Sequence, residues 1–149
     1  MNTPTKQVMP QLRWAARLGY VGLLPFVASA VAAWLAPPAY RSQATHTLLA
    51  YGATIASFLG AIHWGLAMRE PRTPRPGPFV WGVFPSLVAW AALLLPLSQG
   101  LVTVALLLGL CLAVDRRSYL AYGLGEWLTL RLQLTLVAVV CLLAGSVAP

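Results

Sequence analysis

The chain has 149 residues, of which 59% are hydrophobic and only 9% charged, with a formal net charge of +7. Soluble domains carry about 25% charged residues, and a mean hydropathy of +0.75 excludes both an ordinary globular domain and a disordered chain. The composition is that of an integral membrane protein.

The expected fold is all-α, a bundle of five transmembrane helices. Lys6, Arg13 and Arg17 open the chain, and no charge follows from Leu18 to Tyr40, which places a first span near 18–36. Ala28-Ser29-Ala30 resembles a leader-cleavage site, but the apolar run continues past it, so an uncleaved anchor is expected. After Arg41, a second charge-free stretch ends at Met68 and gives a span near 44–68. The stretch from Pro76 to Val114 is about twice the roughly 20 residues that cross a bilayer. It must fold back at Pro96-Leu97-Ser98-Gln99-Gly100, a cluster of helix breakers and turn formers, giving spans near 79–96 and 100–114. Residues 115–127 are expected to form an interfacial connector, and a last span runs near 128–147.

Orientation follows from the cations. Lys6, Arg13, Arg17, Arg69, Arg72, Arg75, Arg116, Arg117 and Arg131 fall on one side of this threading, and Arg41 alone falls on the other. The N-terminus is therefore expected in the cytoplasm (or matrix) and the C-terminus outside. The setting expected is a bacterial inner membrane, with the mitochondrial inner membrane as the alternative. The same cations sit in short loops beside spans, where they meet lipid head groups, so nucleic acid is not an expected partner. The bilayer is, and other membrane proteins or further copies of the chain are candidates.

Trp14, Tyr20, Trp81, Tyr119, Tyr122 and Trp127 fall near the inner boundary and Trp34 and Tyr40 near the outer one, as interfacial anchors do. Cys111 and Cys141 differ in depth by roughly 10 Å at helical rise, too far for a disulfide or shared metal, and read as apolar packing residues.

The second span is the most informative. Gly52, Ala56, Gly60, His63 and Ala67 recur at steps of three and four, forming one stripe on a helix. Small residues so spaced let backbones approach closely, so the stripe is expected to face another helix and to bury His63 in protein. Pro85 and Ser86 of the third span lie at similar depth, and Pro85 frees a backbone carbonyl. The expected polar cluster is His63 and Ser86, joined from the rim by Asp115 and Arg131. Ser86 or a carbonyl freed by Pro85 is the expected partner of His63. A pairing of Asp115 with Arg131 stands level with each charge reaching water beside its own span.

Several of these segments together resemble one family: Leu18-Gly19-Tyr20-Val21-Gly22-Leu23-Leu24-Pro25-Phe26, the Tyr51–Gly65 run ending in His-Trp-Gly, and Pro85-Ser86-Leu87-Val88-Ala89-Trp90. Asp115 and the Trp127, Arg131, Thr135 pattern belong to the same resemblance. The family is the domain-of-unknown-function family numbered 3429, the transmembrane protein 69-like proteins. The resemblance implies a small multi-span protein, bacterial or mitochondrial, with no established activity.

Three functions fit the residues. The first is a non-enzymatic accessory or assembly protein that packs against other membrane proteins. The second is a small transporter or proton path using His63 with Asp115, since an ionisable residue within a span is a functional candidate by default. Against it, Asp115 is expected at the rim. The third is a haem or quinone site, weakened because His46 and His63 lie about 25 Å apart along one helix. No nucleophile–base pair, metal-ligand spacing or phosphate loop is present, so no catalytic, metal or cofactor residue is assigned and no cofactor is expected.

Overall fold

A computed structural model describes the backbone of residues 5–69 and 76–149, and side chains from residue 11 within those ranges. Arg72 and Arg75, two of the cations that orient the chain, lie outside the described residues. Every regular element described is helical: α1 (Thr5–Gly22), α2 (Leu24–Leu35), α3 (Pro38–Met68), α4 (Pro76–Ala92), α5 (Leu97–Ala121) and α6 (Trp127–Ser146). Four apolar stretches are long enough to cross a membrane: Gln11–Leu35, Pro38–Met68, Leu97–Ala121 and Trp127–Ser146. Helix α4, at 17 residues, is shorter.

Prolines and one glycine set the boundaries. Pro25 sits in the first turn of α2, where its missing N–H breaks the continuity between α1 and α2. At that break the Tyr51 hydroxyl donates to the Gly22 carbonyl at 2.8 Å, and the Tyr51 ring stands edge-on to Phe26. Pro38 opens α3, and Pro96, extended at φ −50° and ψ 140°, precedes α5. Helix α5 ends in a Schellman motif. Gly123 takes φ +70°, Leu124 N–H donates to the Tyr119 carbonyl at 2.7 Å, and Gly123 N–H donates to Leu120.

Several boundaries differ from the sequence reading: the expected first span is divided between α1 and α2, and α3 begins at Pro38 rather than near residue 44. The stretch 115–127 is not a separate element: α5 continues through Asp115, Arg116 and Arg117 to Ala121, leaving a short turn before α6. The helix expected as a short fourth span is therefore 25 residues long. A charge ends a lipid-facing span, but Asp115 faces protein, and a compensated buried charge does not stop a helix. The third span ends at Ala92 instead of residue 96, because turns occupy the residues before Pro96.

Helix α3 is central and packs against α2, α4, α5 and α6. Leu48, Leu101, Val104 and Leu142 are fully buried where α3, α5 and α6 meet. Three close approaches at glycines support this packing, two to backbone and one to a side chain. Gly60 of α3 lies against the Gly82 carbonyl and Pro85 of α4, Gly100 lies against the Ala92 carbonyl, and Gly145 lies against Leu48. Helix α1 is the exception. Among the described residues it packs along α2 and α6, tied to α6 by the Tyr20 hydroxyl donating to Gln133 Oε1 at 2.6 Å, and it meets α3 at its last residue through the Tyr51 hydrogen bond to Gly22.

Candidate functional site

The buried face of α5 carries the ionic centre. Leu108, Cys111, Asp115 and Tyr119 recur at steps of three and four and are all buried. Asp115 is 1% exposed. Its Oδ2 accepts from Arg131 Nε at 2.9 Å and from the Arg131 Nη2 group, so α5 and α6 are joined by a forked, charge-assisted pair. The two residues level in the sequence reading are thus paired, and Asp115 lies inside the bundle instead of at its rim.

The other carboxylate oxygen faces α3. His63 Nε2 lies 3.4 Å from Asp115 Oδ1, and the imidazole stands edge-on to Trp81 of α4 at 6.2 Å between ring centres. The stripe that carries His63 points inward, with Gly52, Ala56, Gly60 and His63 buried and Ala67 half-buried. Gly52 packs on Val104 and Leu142 and Gly60 on α4, so the stripe serves two neighbouring surfaces.

The expected partners of His63 are not those found. Ser86 turns its hydroxyl to the Val83 carbonyl of its own helix at 2.7 Å, and no carbonyl near Pro85 reaches the imidazole. A serine in a helix finds its own preceding turn before it finds a neighbour. Among the described residues, His63 Nδ1, His63 Nε2 and Asp115 Oδ1 are buried without a hydrogen-bond partner, an arrangement that native cores rarely tolerate without a use or a bridging molecule.

The sequence reading also missed Tyr119 and Trp81 as members of this centre, having assigned both to the interface. Tyr119 is 5% exposed. The signal was available in the helical spacing of Cys111, Asp115 and Tyr119, and was obscured by treating residue 115 as the end of a span. Trp14, Trp34, Tyr40 and Tyr20 do remain exposed, as anchors would. Cys111 and Cys141 are both buried and free. His46 is exposed near the start of α3, far from His63. Among the described residues, no three His, Cys, Asp or Glu side chains converge as metal ligands would.

Beside the ionic centre, α1 stands off from the bundle and leaves a cleft of about 930 Å³. Arg131, Tyr119 and Thr135 line its bundle side, and Arg69 and Glu126 line its end. Apart from Gln11, its remaining walls are apolar, including Leu18, Leu23, Phe26, Phe58 and Leu134.

Comparison with known proteins gives one family. The profile described as "Protein of unknown function (DUF3429)" matches residues 11–147. The chain is 35% identical over 141 residues to "Transmembrane protein 69" of Xenopus tropicalis, covering 89% of this chain and 53% of that protein. It is 31% identical over 135 residues to "Transmembrane protein 69" of Mus musculus, covering 86% and 55%. The chain thus spans about half the length of these curated relatives. No solved structure matches it.

Proposed function

This chain belongs to the DUF3429 family of membrane proteins, and we propose that within it the chain is a non-enzymatic accessory protein, acting by binding other components of its membrane. The observation that carries this reading is the dryness of the bundle beyond the ionic centre. From Cys111 toward the start of α5, the core is Leu108, Leu107, Val104 and Leu101 packed on Leu48 and Leu142. A proton or polar solute that reached Asp115 would find no buried polar side chain along this run of α5; among the described residues the other buried hydroxyls, of Ser29, Thr45 and Thr135, lie on other helices. The centre is a blind polar site that joins α3, α5 and α6, with α1 left as a loosely seated wall available to a binding partner.

One observation favours the second reading, a proton-handling site. Burial of Asp115 beside His63 removes the objection that the carboxylate sits at the rim. Arg131 holds Oδ2 and leaves Oδ1 as the oxygen that could trade a proton with His63 Nε2.

Substitution at His63 separates the two. Glutamine retains hydrogen bonding but carries no proton at physiological pH, whereas leucine loses both. Under the accessory reading, vesicles containing the full chain show the proton permeability of empty vesicles. His63→Gln then accumulates as the wild type does, and His63→Leu accumulates less. A proton flux through the wild-type chain that His63→Gln abolishes, at equal protein per vesicle, would overturn the accessory reading in favour of the second.

The proposed threading has five crossings, with α4 as a short one between α3 and α5. The proposed setting is a bacterial cytoplasmic membrane, the mitochondrial inner membrane being the alternative, and the distribution of arginines supports a cytoplasmic (or matrix) N-terminus. Reporter fusions after Arg75 and Arg117 should report the cytoplasm, and fusions after Gln99 and at Pro149 the outside. A cytoplasmic signal from Pro149 contradicts this threading.

A further inference from the structure

The cleft beside α1 has the size, depth and polarity of a site for one membrane lipid. Its volume, about 930 Å³, lies at the upper end of the roughly 300–1,000 Å³ typical of ligand pockets. Along α6 it runs from Glu126 to Ala138, about 18 Å at helical rise. That is close to the depth of one leaflet, half of a hydrocarbon core about 30 Å thick. Leu18 and Phe58, on opposite walls, are 69% and 63% exposed, so the cleft is open to the side, where a lipid tail would enter.

The charged groups at its end select the head group. Among the described residues, four bear on it: Arg69, Glu126, Arg131 and, behind Arg131, Asp115. Arg131 is already compensated by Asp115. That leaves one cation, Arg69 at the end of α3, and one anion, Glu126 at the start of α6. Both are exposed, and neither is in an ion pair among the described residues. A purely anionic head would meet Arg69 but also Glu126. A head carrying a phosphate and a primary ammonium satisfies both, the phosphate accepting from the Arg69 guanidinium and the ammonium donating to the Glu126 carboxylate. A quaternary ammonium has no N–H to donate.

We propose that this cleft binds a zwitterionic phospholipid of the phosphoethanolamine class, its tail along α1 and α6 and its head between Arg69 and Glu126. The site is distinct from the accessory role proposed above and does not depend on it.

Native mass spectrometry of the full chain in mild detergent tests the assignment, using phosphoethanolamine, phosphocholine and phosphoglycerol lipids with identical acyl chains. One phosphoethanolamine lipid per chain is expected, held about tenfold more tightly than the other two, since one charge-assisted hydrogen bond accounts for roughly that factor. Glu126→Gln should remove the preference for phosphoethanolamine over phosphocholine, and Arg69→Gln should weaken all three. Ala15→Trp, which places a bulky ring in the cleft, should abolish the one-to-one adduct. Circular dichroism and a monodisperse elution profile confirm that each variant is folded. Equal binding of the three lipids would overturn the head-group assignment. An undiminished adduct in folded Ala15→Trp would overturn the site.

Discussion

Asp115→Leu should destabilise the bundle by about 3–5 kcal/mol, the usual cost of removing one partner from a buried ion pair. The penalty arises from what is left behind. Arg131 is four residues inside α6, with its side chain 12% exposed and its guanidinium turned to Asp115. Without the carboxylate, that charge must either stay uncompensated among apolar side chains or pull out and open the seam between α5 and α6. His63 also loses the carboxylate it faces. The pair itself is worth much less than its breakage costs, because desolvating both charges offsets most of their attraction. Asp115→Leu combined with Arg131→Met should therefore recover most of the lost stability. Thermal unfolding of the three variants in detergent, followed by circular dichroism, checks this. A double variant no more stable than Asp115→Leu alone would show that the carboxylate stabilises the bundle through something other than Arg131.

Much of the helical architecture was legible because hydrocarbon imposes a length on apolar stretches, and because proline and glycine punctuate them. Pro96 marks an observed boundary that the sequence reading used, whereas Pro38 and Gly123 mark two that it did not. The stripe at Gly52, Ala56, Gly60 and His63 was legible for a similar reason, since helical periodicity states which residues share a face. Left open by that reasoning was pairing between helices, the Asp115–Arg131 pair standing level with its alternative. Treating every charge as a marker of the water boundary ended the fourth span before Asp115. The identity of its neighbour, Arg131 on the next helix, depends on how α5 and α6 are set against each other in depth. The partner of His63 was misjudged on the same grounds. Ser86 matches it in depth along α4, but its hydroxyl is satisfied by Val83 in its own helix. The cleft had no signal in the sequence at all. It exists because Pro25 interrupts the helix and α1 diverges from α3, a matter of direction in space that one-dimensional spacing does not encode.

The close approach of α3 and α4 gives the second large effect. A Cβ added to Gly60 would lie 2.5 Å from the Gly82 carbonyl oxygen and 3.2 Å from the Pro85 ring. Neither obstacle can swing aside, one being backbone and the other a proline ring inside a helix. Gly60→Ala must therefore push the two helices apart. Overpacking of this kind costs about 1–3 kcal/mol, more than the gain of up to about 1 kcal/mol that alanine brings to a helix over glycine. The displacement would also strain the Trp64 indole N–H, which donates to the Phe79 carbonyl at 2.8 Å across the same seam, and would shift Trp81 away from His63. Two other glycines provide the scale. A Cβ at Gly145 meets the end of the Leu48 side chain, which can change rotamer, and a Cβ at Gly65 meets nothing within 4 Å. The expected order of thermal midpoints is Gly65→Ala at or above the wild type, Gly145→Ala somewhat below it, and Gly60→Ala lowest. If Gly60→Ala unfolds at the same temperature as Gly65→Ala, contact with Gly60 does not set the spacing of α3 and α4.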